Sequence, residues 1–574
     1  MSKTLKKTIL FFGIILSSLI VNGQTNYYVS STGNNTHNGT LSSPWLTIQY
    51  GLDQLSTGDI LNVMSGTYNE KLQINTSGII LQNYSSVLPI IDASGITSQT
   101  AIIEIFDVSD ILIHGFELKN SIMLDAQGIL VEGNCQNIVI EGCKIHDIHF
   151  SSDVNAPANA GTNAQGIVVY GSNSSIAISN LKILSNLLYN CRLGYSEGIA
   201  VNGNVNGFEI SGNTIYNLTN IGIDLCGHEG TCSDPAFDQA RNGFVKNNIV
   251  YNCISPYATS GGIYVDGAKN ITIENNISYL NGYGIEVGCE NIGESADSII
   301  VRDNIFYNNQ VCAIAVGGYA YPNGSGKVMN TAIRNNTCYY NDYSNSGFGE
   351  LYLSYSENSV IENNIFYTSS QDILTYAELT QPNLSFNYNI FYCQSGAGSL
   401  LTNWNGNNYN NYSSFITGSG TNINSAFADP LFVLANITNP DFHITATSPA
   451  INAGNPSFIP AFSELDIDGE IRANGIVDCG ADEYFPNTGL NENGFTVNQV
   501  KIYPNPANDY ITITSSNIRR VTIYNSLGKQ IGVFLTENKS ETQVNVKYYS
   551  VGLYFLVAFD KDLQPVCSQS FIKE

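Results

Sequence analysis

An Asn followed three residues later by an aromatic residue recurs eight times in the middle of the 574-residue chain. A second phrase, Gly-Ile-x-Val or a close variant, lies between most copies, and each unit holds short stretches of period-two apolar pattern with no helical period. A unit of about 25 to 35 residues cannot bury an apolar face alone, so the pattern predicts a solenoid of stacked rungs. The repeated Asn residues are Asn186, Asn213, Asn248, Asn276, Asn304, Asn336, Asn364 and Asn389, and the glycines of the second phrase are Gly166, Gly198, Gly222, Gly262 and Gly284.

The repeated Asn and aromatic positions suit parallel stacking. Strands at equivalent positions of successive units pair in parallel at a spacing of roughly 4.8 Å. An Asn at a buried turn can then hydrogen-bond to the Asn above and below it, which satisfies its amide. We expect the aromatic column, which runs from Tyr189 to Tyr392, to stack within the core.

These phrases resemble the repeats of the pectate-lyase-like superfamily of right-handed parallel β-helices. The resemblance, together with the general preference for right-handed crossovers, implies a right-handed coil. The expected fold class is all-β: a right-handed parallel β-helix solenoid with a small C-terminal β-sandwich domain.

The composition agrees with a large all-β protein and limits its partners. Only 12% of the residues are charged, and the formal net charge is −25. Removal of a leader that carries three lysines would lower this charge by three. An acidic chain without a basic stripe cannot neutralise phosphates, so we expect no nucleic-acid partner.

The chain divides into a leader, a solenoid and two C-terminal parts. Lysines followed by an apolar run that is short for a bilayer predict a signal peptide over residues 1–23, and no later segment predicts a transmembrane helix. Residues 24–100 are expected to form an N-terminal cap and the first rungs, with a short helix from Thr47 to Leu55, and residues 101–428 the main β-helix. The N-terminal segment resembles that of many secreted β-helix proteins, including family 9 pectate lyases.

Two later segments resemble known modules. Residues 429–486, with their Asp-rich turn at Asp466 and Asp468, resemble the choice-of-anchor Q segment; that turn could hold Ca²⁺, but we interpret it as a turn only. A linker spans residues 487–498. Residues 499–574 resemble the C-terminal sorting domain of the type IX secretion system, which implies that this machinery is a partner and that the protein is secreted or attached to the outer-membrane surface. We expect a monomer.

The twelve cysteines are predicted to be mostly unpaired. Cys191 and Cys253 occupy equivalent positions two rungs apart, roughly 9.6 Å, which is too far for a disulfide. We interpret them as small buried hydrophobic residues. Cys226 and Cys232, on one loop of an exported chain, form the candidate disulfide.

The register of the Gly-Ile phrase places three carboxylates on one face. When Ile and Val point inward, the residue between them and the residue after Val point outward. Asp224, Asp266 and Glu286 are then outward on three adjacent rungs, with neighbours roughly 8 Å apart. Like charges held this close repel one another, and a purely structural surface gains nothing from them. These three residues are the predicted catalytic groups.

Nearby residues are predicted to bind substrate. The long loop after Asp224 should bring further polar side chains to the edge of the same face. The predicted substrate-binding residues are His228, Glu229, Arg241, Tyr264 and Glu290. No metal ligand is assigned.

Several functions compete for this face. A glycoside hydrolase needs two carboxyl groups, and a separation of about 6.5 to 9.5 Å suits an inverting mechanism without a cofactor. A pectate-lyase-type enzyme would need Ca²⁺ and a basic residue, for which Arg241 and Lys269 are the nearest candidates. A third interpretation is a non-catalytic glycan-binding or adhesive surface with Tyr264, Tyr319 and Tyr321 as sugar platforms, and a fourth is a merely solvated acidic face. We favour an enzyme that cleaves an extracellular polysaccharide, and a hydrolase over a lyase.

Overall fold

The computed structural model describes residues 24–461, 464–472, 475–485, 501–514, 519–525, 530–535, 541–547, 549–559 and 565–573. The predicted signal peptide and the predicted linker at 487–498 lie outside these residues. The chain separates into two compact units, residues 1–484 and 485–574. The first unit is a parallel β-helix, as predicted, in which three long sheets run along the solenoid.

Each rung of the solenoid contributes one strand to each sheet, in the chain order second, first and third sheet. The first sheet contains Asn26–Val29, Ile60–Val63, Ile80–Asn83, Ile111–His114, Gln136–Glu141, Ile178–Leu184, Val205–Ser211, Arg241–Lys246, Lys269–Glu274, Ser295–Arg302, Lys327–Met329, Ala332–Arg334, Ser356–Glu357, Val360–Glu362 and Ser385–Asn387. The second sheet contains Leu72–Ile74, Ala101–Phe106, Ala126–Glu132, Ala164–Gly171, Ile199–Gly203, Ile223–Cys226, Gly261–Asp266, Tyr283–Gly288, Cys312–Val316, Leu351–Leu353, Ile373–Ala377, Leu401–Trp404 and the antiparallel Asn407–Tyr409. The third sheet contains Thr67–Tyr68, Ile90–Asp92, Glu117–Lys119, Lys144–His146, Leu187–Cys191, Thr214–Leu218, Ile249–Cys253, Ile277–Tyr279, Ile305–Tyr307, Thr337–Tyr339, Ile365–Tyr367, Ile390–Tyr392 and Ala426–Phe427.

Short elements complete the two units. The predicted N-terminal helix is present as Ile48–Gln54, and its buried face, Ile48 and Leu52, packs into the solenoid core. A second helix is Tyr412–Ser419, and a hairpin pairs Phe432–Leu434 with Asp441–Ile444. The second unit has two antiparallel sheets, as expected of a small β-sandwich: Lys501–Tyr503, Tyr510–Thr514 and Glu541–Asn545 in one, and Arg520–Asn525, Gln530–Leu535, Gly552–Phe559 and Pro565–Lys573 in the other.

The repeated Asn residues form a continuous hydrogen-bonded ladder inside the solenoid, at the turn between the first and third sheets. In every step from Asn186 to Asn389, one side-chain amide donates to the side-chain oxygen of the Asn on the next rung. At Asn276, for example, Nδ2 also donates to the carbonyl oxygens of Val245 and Glu274 at 2.9 and 3.0 Å. The ladder therefore satisfies backbone groups at the turn as well as its own amides, which confirms the prediction.

A second buried Asn ladder runs along the turn between the third and second sheets. Asn281, Asn309 and Asn341 follow the first ladder by five residues. The backbone N–H groups of Asn281 and Asn309, and the side-chain amide of Asn309, donate to the side-chain oxygen of the Asn on the next rung. The fully buried Glu350 ends this ladder by accepting the backbone N–H and the side-chain amide of Asn341, at 2.9 and 2.7 Å. The sequence contains this spacing, but the ladder was not predicted.

The first five tyrosines of the aromatic column stack as expected, but the prediction that the column lies in the core holds only for its later part. Tyr189, Tyr216, Tyr251, Tyr279 and Tyr307 stack with ring centroids 4.6–5.3 Å apart, and they are on the outer face of the third sheet. Each Tyr follows a buried, inward-pointing residue in its strand, so alternation turns it outward. Tyr307, Tyr339 and Tyr367 are nevertheless buried, in a cluster with Phe442. His146 extends the column, with its ring 4.7 Å from that of Tyr189, which makes it a structural histidine.

Residues 429–484 cover the later part of this aromatic column. The ring of Phe442 lies 5.5 Å from that of Tyr307 and 5.0 Å from that of Tyr339. The buried guanidinium of Arg472 bonds to the carboxylates of Asp303 and Glu483, so an ion-pair network joins the segment to the solenoid. The resemblance of this segment to choice-of-anchor Q stays a prediction.

Backbone hydrogen bonds to Asp466 hold the Asp-rich turn. The carboxylate of Asp466 accepts the backbone N–H groups of Asp468, Glu470 and Glu483, at 3.0, 2.7 and 3.0 Å. Two of these donors belong to the turn itself, and the interpretation that it is a turn only stays a prediction.

The cysteines are buried thiols. The eleven cysteines of the first unit are free, so the predicted disulfide between Cys226 and Cys232 is wrong. Cys191 and Cys253 are in register with Leu218 on the rung between them, which confirms that they cannot pair.

We predict that Asn276→Ala strongly destabilises the solenoid. The change leaves the backbone N–H of Asn248 and several carbonyl oxygens without their partner in a site that excludes water. Each lost buried partner costs about 1 to 3 kcal/mol, so the free energy of unfolding in urea should fall by at least about 3 kcal/mol. Asn206→Ala, which removes one exposed bond from Asn242, should cost less than about 1 kcal/mol. Equal losses in the two variants would contradict the role of the ladder.

Candidate functional site

The second sheet brings the three predicted catalytic carboxyls to one outer face. Asp224 is in register with Tyr264, and Tyr264 with Glu286, so these residues form one column across three rungs. Asp266 lies two residues beyond Tyr264 and is in register with Gly288. This confirms the predicted register. Strand spacing puts the Cα atoms of Asp224 and Asp266 roughly 8 Å apart.

Two loops at the carboxyl ends of these strands border the column. Residues 227–240 follow the strand of Asp224, and residues 289–294 follow the strand of Glu286. The amide of Asn291 donates to the carboxylate of Glu229 at 2.5 Å, so the loops hydrogen-bond to each other. The carboxyls therefore lie in a recess with a rim of loop residues. We call Glu197, Asp224, Glu229, Asp266, Glu286 and Glu290 the acid face.

Asp224 lies at the floor of the recess in an environment that favours its protonated form. Its side chain is only 4% exposed, and its Oδ1 atom is buried without a hydrogen-bond partner. Burial, and then the neighbouring charges of Glu197 and Asp266, raise the pKa of Asp224 well above its usual range. Burial likewise raises the pKa of Glu197 to about 8. The charge of Glu197 therefore disfavours ionisation of Asp224.

Asp266 is also buried, but one hydrogen bond favours its charged form. Burial and the charge of Glu290 raise its pKa well above the usual range, whereas the backbone N–H of Glu290 donates to its Oδ1 at 2.7 Å and opposes that rise. Burial, followed by the charge of Glu290, raises the pKa of Glu286 to about 8. Asp266 is thus the floor carboxyl with a backbone donor, and Asp224 is the one with an unpartnered oxygen.

The structure places three of the five predicted substrate-binding residues beside the acid face. Glu229 and Glu290 are exposed on its rim. His228 packs over Gly267, next to Asp266, and its Nδ1 lies 3.5 Å from the carboxylate of Glu294. These three positions agree with the expectation, and their role in binding stays a prediction.

Tyr264 belongs to the face but is not an exposed platform. It is 5% exposed, and its hydroxyl lies over Gly288, where an added side chain would meet the ring at 3.3 Å. Burial and the charges of Asp266 and Glu286 raise its pKa well above the usual range, so the hydroxyl keeps its proton. Of the other proposed platforms, Tyr321 stacks on Tyr355 at 4.0 Å and Tyr319 is exposed.

The predicted position of Arg241 is wrong. It begins a strand of the first sheet, in register with Asn206 and Lys269, and not of the sheet that carries the acid face. Its guanidinium donates to the side chain of Asn204 at 2.8 Å and to the carbonyl oxygen of Gln239 at 3.0 Å. The loop ends before Arg241, so this residue braces the base of the loop. Lys269 is in the same sheet, 3.2 Å from Asp297.

Glu197 is a member of the acid face that sequence reasoning missed. It directly precedes Gly198 and lies before the strand, so the alternation rule that found the other carboxyls does not apply to it. Its position could have been found from the Gly-Ile phrase at Gly198, which lies on the rung next to that of Asp224.

A second cluster of ligand-type side chains lies in the segment that covers the aromatic column. Ligand atoms of His443, Asp468 and Asp482 lie within 4.8 Å of one another, beside a cavity of about 720 Å³ whose walls include Tyr279 and Tyr307. Nδ1 of His443 contacts Asp441, and its Nε2 contacts Asp468 at 2.6 Å. Hydrogen bonds and charges of these carboxylates outweigh burial and raise the pKa of His443 to about 9. An imidazolium that bonds on both sides satisfies the cluster without a metal.

Comparison with known proteins identifies the family. The chain is 32% identical over 444 residues to the uncharacterized protein YwoF of Bacillus subtilis (strain 168), and the match covers 74% of this chain and 91% of YwoF. The chain belongs to the YwoF family. Residues 205–349 of this chain match a family described as "Disaggregatase related". They include most of the acid face.

The C-terminal unit matches a known export module. Residues 501–573 match the family described as "Secretion system C-terminal sorting domain", which confirms the predicted type IX sorting domain. This member of the YwoF family is therefore secreted or attached to the outer-membrane surface. Among the residues that the structure describes, there is no helix of the length and apolarity that crossing a bilayer requires.

Solved structures similar to this YwoF relative include two enzymes and an adhesin. Pectate lyase Pel9A is 15% identical, with 81% of this chain and 97% of that chain covered and a TM-score of 0.41. The family 28 exopolygalacturonase of Yersinia enterocolitica is 13% identical, with 60% and 71% covered and a TM-score of 0.41. The surface adhesin PfbA of Streptococcus pneumoniae is 13% identical, with 67% and 94% covered and a TM-score of 0.42.

The acid face predicts that the protein loses stability as the pH rises. Glu197 and Glu286 have folded-state pKa values of about 8 against an ordinary value of 4.5, so the folded state binds more protons than the unfolded state between these values. The stability that these groups contribute is complete below about 4.5 and is lost as the pH rises through about 8. Melting temperatures measured across this range should fall for the wild type and fall less for Glu286→Gln and Asp224→Asn. The exposed Asp53→Asn is the control, and a parallel decline in all variants would contradict this account.

Proposed function

We propose that the protein is a secreted enzyme that cleaves a polysaccharide by hydrolysis at the acid face. The observation that carries the proposal is the contrast between two buried carboxyls on adjacent rungs. Burial raises the pKa of both carboxyls well above the usual range, but Asp224 has an unpartnered oxygen, whereas Asp266 accepts a backbone N–H. Carboxyl groups whose environments differ in this way are the usual general acid and general base of a hydrolase.

The two carboxyls have complementary roles in this mechanism. Asp224 in its protonated form donates its proton to the glycosidic oxygen as the bond to the anomeric carbon breaks. Asp266 as the carboxylate takes a proton from water, and the resulting hydroxide oxygen bonds to the anomeric carbon from the opposite side. The Cα atoms of the two residues are roughly 8 Å apart, and carboxyl groups at a comparable separation leave room for that water and invert the anomeric configuration.

Glu286 and Tyr264 support this chemistry from the same column. The charge of Glu286 is among the causes that raise the pKa of Asp266, which makes Asp266 a stronger base. The protonated hydroxyl of Tyr264 lies between Asp224 and Glu286 in the register and can donate a hydrogen bond to a sugar oxygen. Glu286 is therefore a positioning residue in this proposal, although the sequence predicted it as a catalytic group.

A lyase of the pectate-lyase type has weaker support. Such an enzyme needs a base for the proton at C5 of a uronate, and the two candidates, Arg241 and Lys269, are in the first sheet and bond to Asn204 and Asp297. It also needs a cation such as Ca²⁺ to neutralise the uronate. Carboxylates of the acid face have the ligand chemistry for Ca²⁺, so the experiment below includes a chelator.

We expect at least one polysaccharide from a panel of uncharged, basic and uronate-containing glycans to yield new reducing ends on incubation with the full chain, with and without EDTA. Asp224→Asn and Asp266→Asn should each lower kcat by at least about a hundredfold, because each removes a proton-transfer group. Glu141→Gln, in the first sheet beside His114, is the control and should retain activity. Absorbance of an unsaturated uronate that disappears with EDTA would establish a lyase instead. Binding without cleavage of any glycan, unchanged in both Asn variants, would favour an adhesive surface.

The pH dependence of the reaction should shift when Glu290 loses its charge. Glu290 is the largest electrostatic cause of the raised pKa of Asp266, so Glu290→Gln should lower that pKa. Because Asp266 acts as a base, the acid limb of the plot of kcat/KM against pH should move to lower pH. The same plot for Glu141→Gln should coincide with that of the wild type. A limb that stays in place or moves to higher pH would exclude Asp266 as the base.

A further inference from the structure

The acid face holds more carboxyl groups than hydrolysis uses. The proposed reaction needs two, and Glu286 supports them, yet Glu197, Glu229 and Glu290 stand close enough for their charges to act on the same buried carboxyls. Each additional acid raises the energy of the ionised face and destabilises the protein. A binding role for these acids would account for this cost, since catalysis alone does not.

One oxygen on the buried floor of the face lacks a hydrogen-bond partner. Oδ1 of Asp224 is inaccessible to solvent and has no hydrogen-bond partner, although the side chain is 4% exposed at the recess. An unpartnered buried carboxyl oxygen is rare and costly. A ligand with N–H donors could contact Asp224 only at the exposed part of its side chain, where a positive charge would favour the ionised form of the carboxyl.

The positive side chains closest in sequence are bonded elsewhere. His228 faces Glu294 at 3.5 Å, and Arg241 and Lys269 bond to groups in the first sheet. Among the described residues, these three do not neutralise the floor of the recess. A positively charged ligand would therefore not have to displace any of these three side chains.

The arrangement of the carboxyls suits several separate cations better than one compact metal ion. Within the part of the chain that the structure describes, the only set of three ligand atoms within 4.8 Å of one another is the one at His443. The carboxyls of the acid face instead extend over successive rungs along the solenoid axis, at a repeat of roughly 4.8 Å. This repeat is close to the length of one sugar residue in an extended glycan.

We propose that the acid face binds a glycan that carries protonated amino groups, with the ammonium groups held between carboxyls of successive rungs. This inference rests on the proposed function and names its substrate class. An ammonium group donates up to three hydrogen bonds and relieves the repulsion between neighbouring carboxylates. An N-acetylated sugar carries no such charge, and a uronate would add repulsion.

Oligomers of glucosamine and of N-acetylglucosamine, matched in length, test the proposal. Both are titrated calorimetrically into the full chain at about pH 6, where a sugar amine, like an α-amino group, is largely protonated. We expect the glucosamine oligomer to bind at least about tenfold more tightly, and the difference to shrink between about 0.05 and 0.5 M salt. Equal affinity for the two oligomers would overturn the proposal.

Variants separate a specific site from general attraction to an acidic protein. Glu229→Gln, at an exposed rim position whose bond from Asn291 a Gln oxygen can retain, should weaken binding of the glucosamine oligomer several-fold and leave the acetylated oligomer unaffected. Glu141→Gln should change neither. Equal effects of the two variants, or binding that requires Ca²⁺ and is lost with EDTA, would also overturn the proposal.

Product analysis of the same mixtures by mass spectrometry keeps this inference distinct from the proposed function. Cleavage of neutral glycans without preference for the amine would reject the cationic substrate and retain the hydrolase. Tight binding of the glucosamine oligomer without cleavage of any glycan would retain the cationic ligand and reject the hydrolase.

Discussion

The buried hydrogen bond from one Asn amide to the next fixes the register on which this structure depends. Each amide needs a partner because water cannot reach it, and that partner is available only when the next rung stacks in one particular alignment. A shift of one residue would turn every side chain of a strand to the opposite face. The ladder thus determines which residues face outward far from the turn itself, including those on the second sheet.

The acid face is a consequence of that register, and it also destabilises the fold. Asp224, Tyr264 and Glu286 share a column only because their strands cannot slip. The same alignment keeps the carboxyls buried and close together, so burial first, and then the charge of neighbouring carboxyls, raises their pKa values. The rigid core supplies enough stability to hold an arrangement that would relax on a flexible surface, as expected of a functional site.

Much of the fold and of the acid face could be predicted from the sequence. The period-two apolar pattern indicates which residues share a face of a strand, and the spacing of the repeats indicates which strands stack. They gave the parallel stack, the ladder from Asn186 to Asn389 and the shared face of the three predicted carboxyls. They could not place Glu197 or Arg241, because those positions depend on where a strand begins and a loop ends. The tyrosine column points outward because side chains alternate along each strand. The prediction that it lies in the core rests on stacking, which does not require burial. Burial of Tyr264 depends on packing against Gly288, which no local pattern reports.

The column of the acid face ends in a small residue on each side. Ala200 precedes Asp224 in the register, and Ala315 follows Glu286. The outer surface of the sheet is in effect a grid, with points about 4.8 Å apart along the axis and about 6.6 Å apart along each strand. Both alanines are only 2% exposed, and Ala200 packs with Leu130 and Val168, so buried small residues bound the acid column at both ends. The fold sets the spacing of the outward side chains, while single residues decide the length and charge of the column.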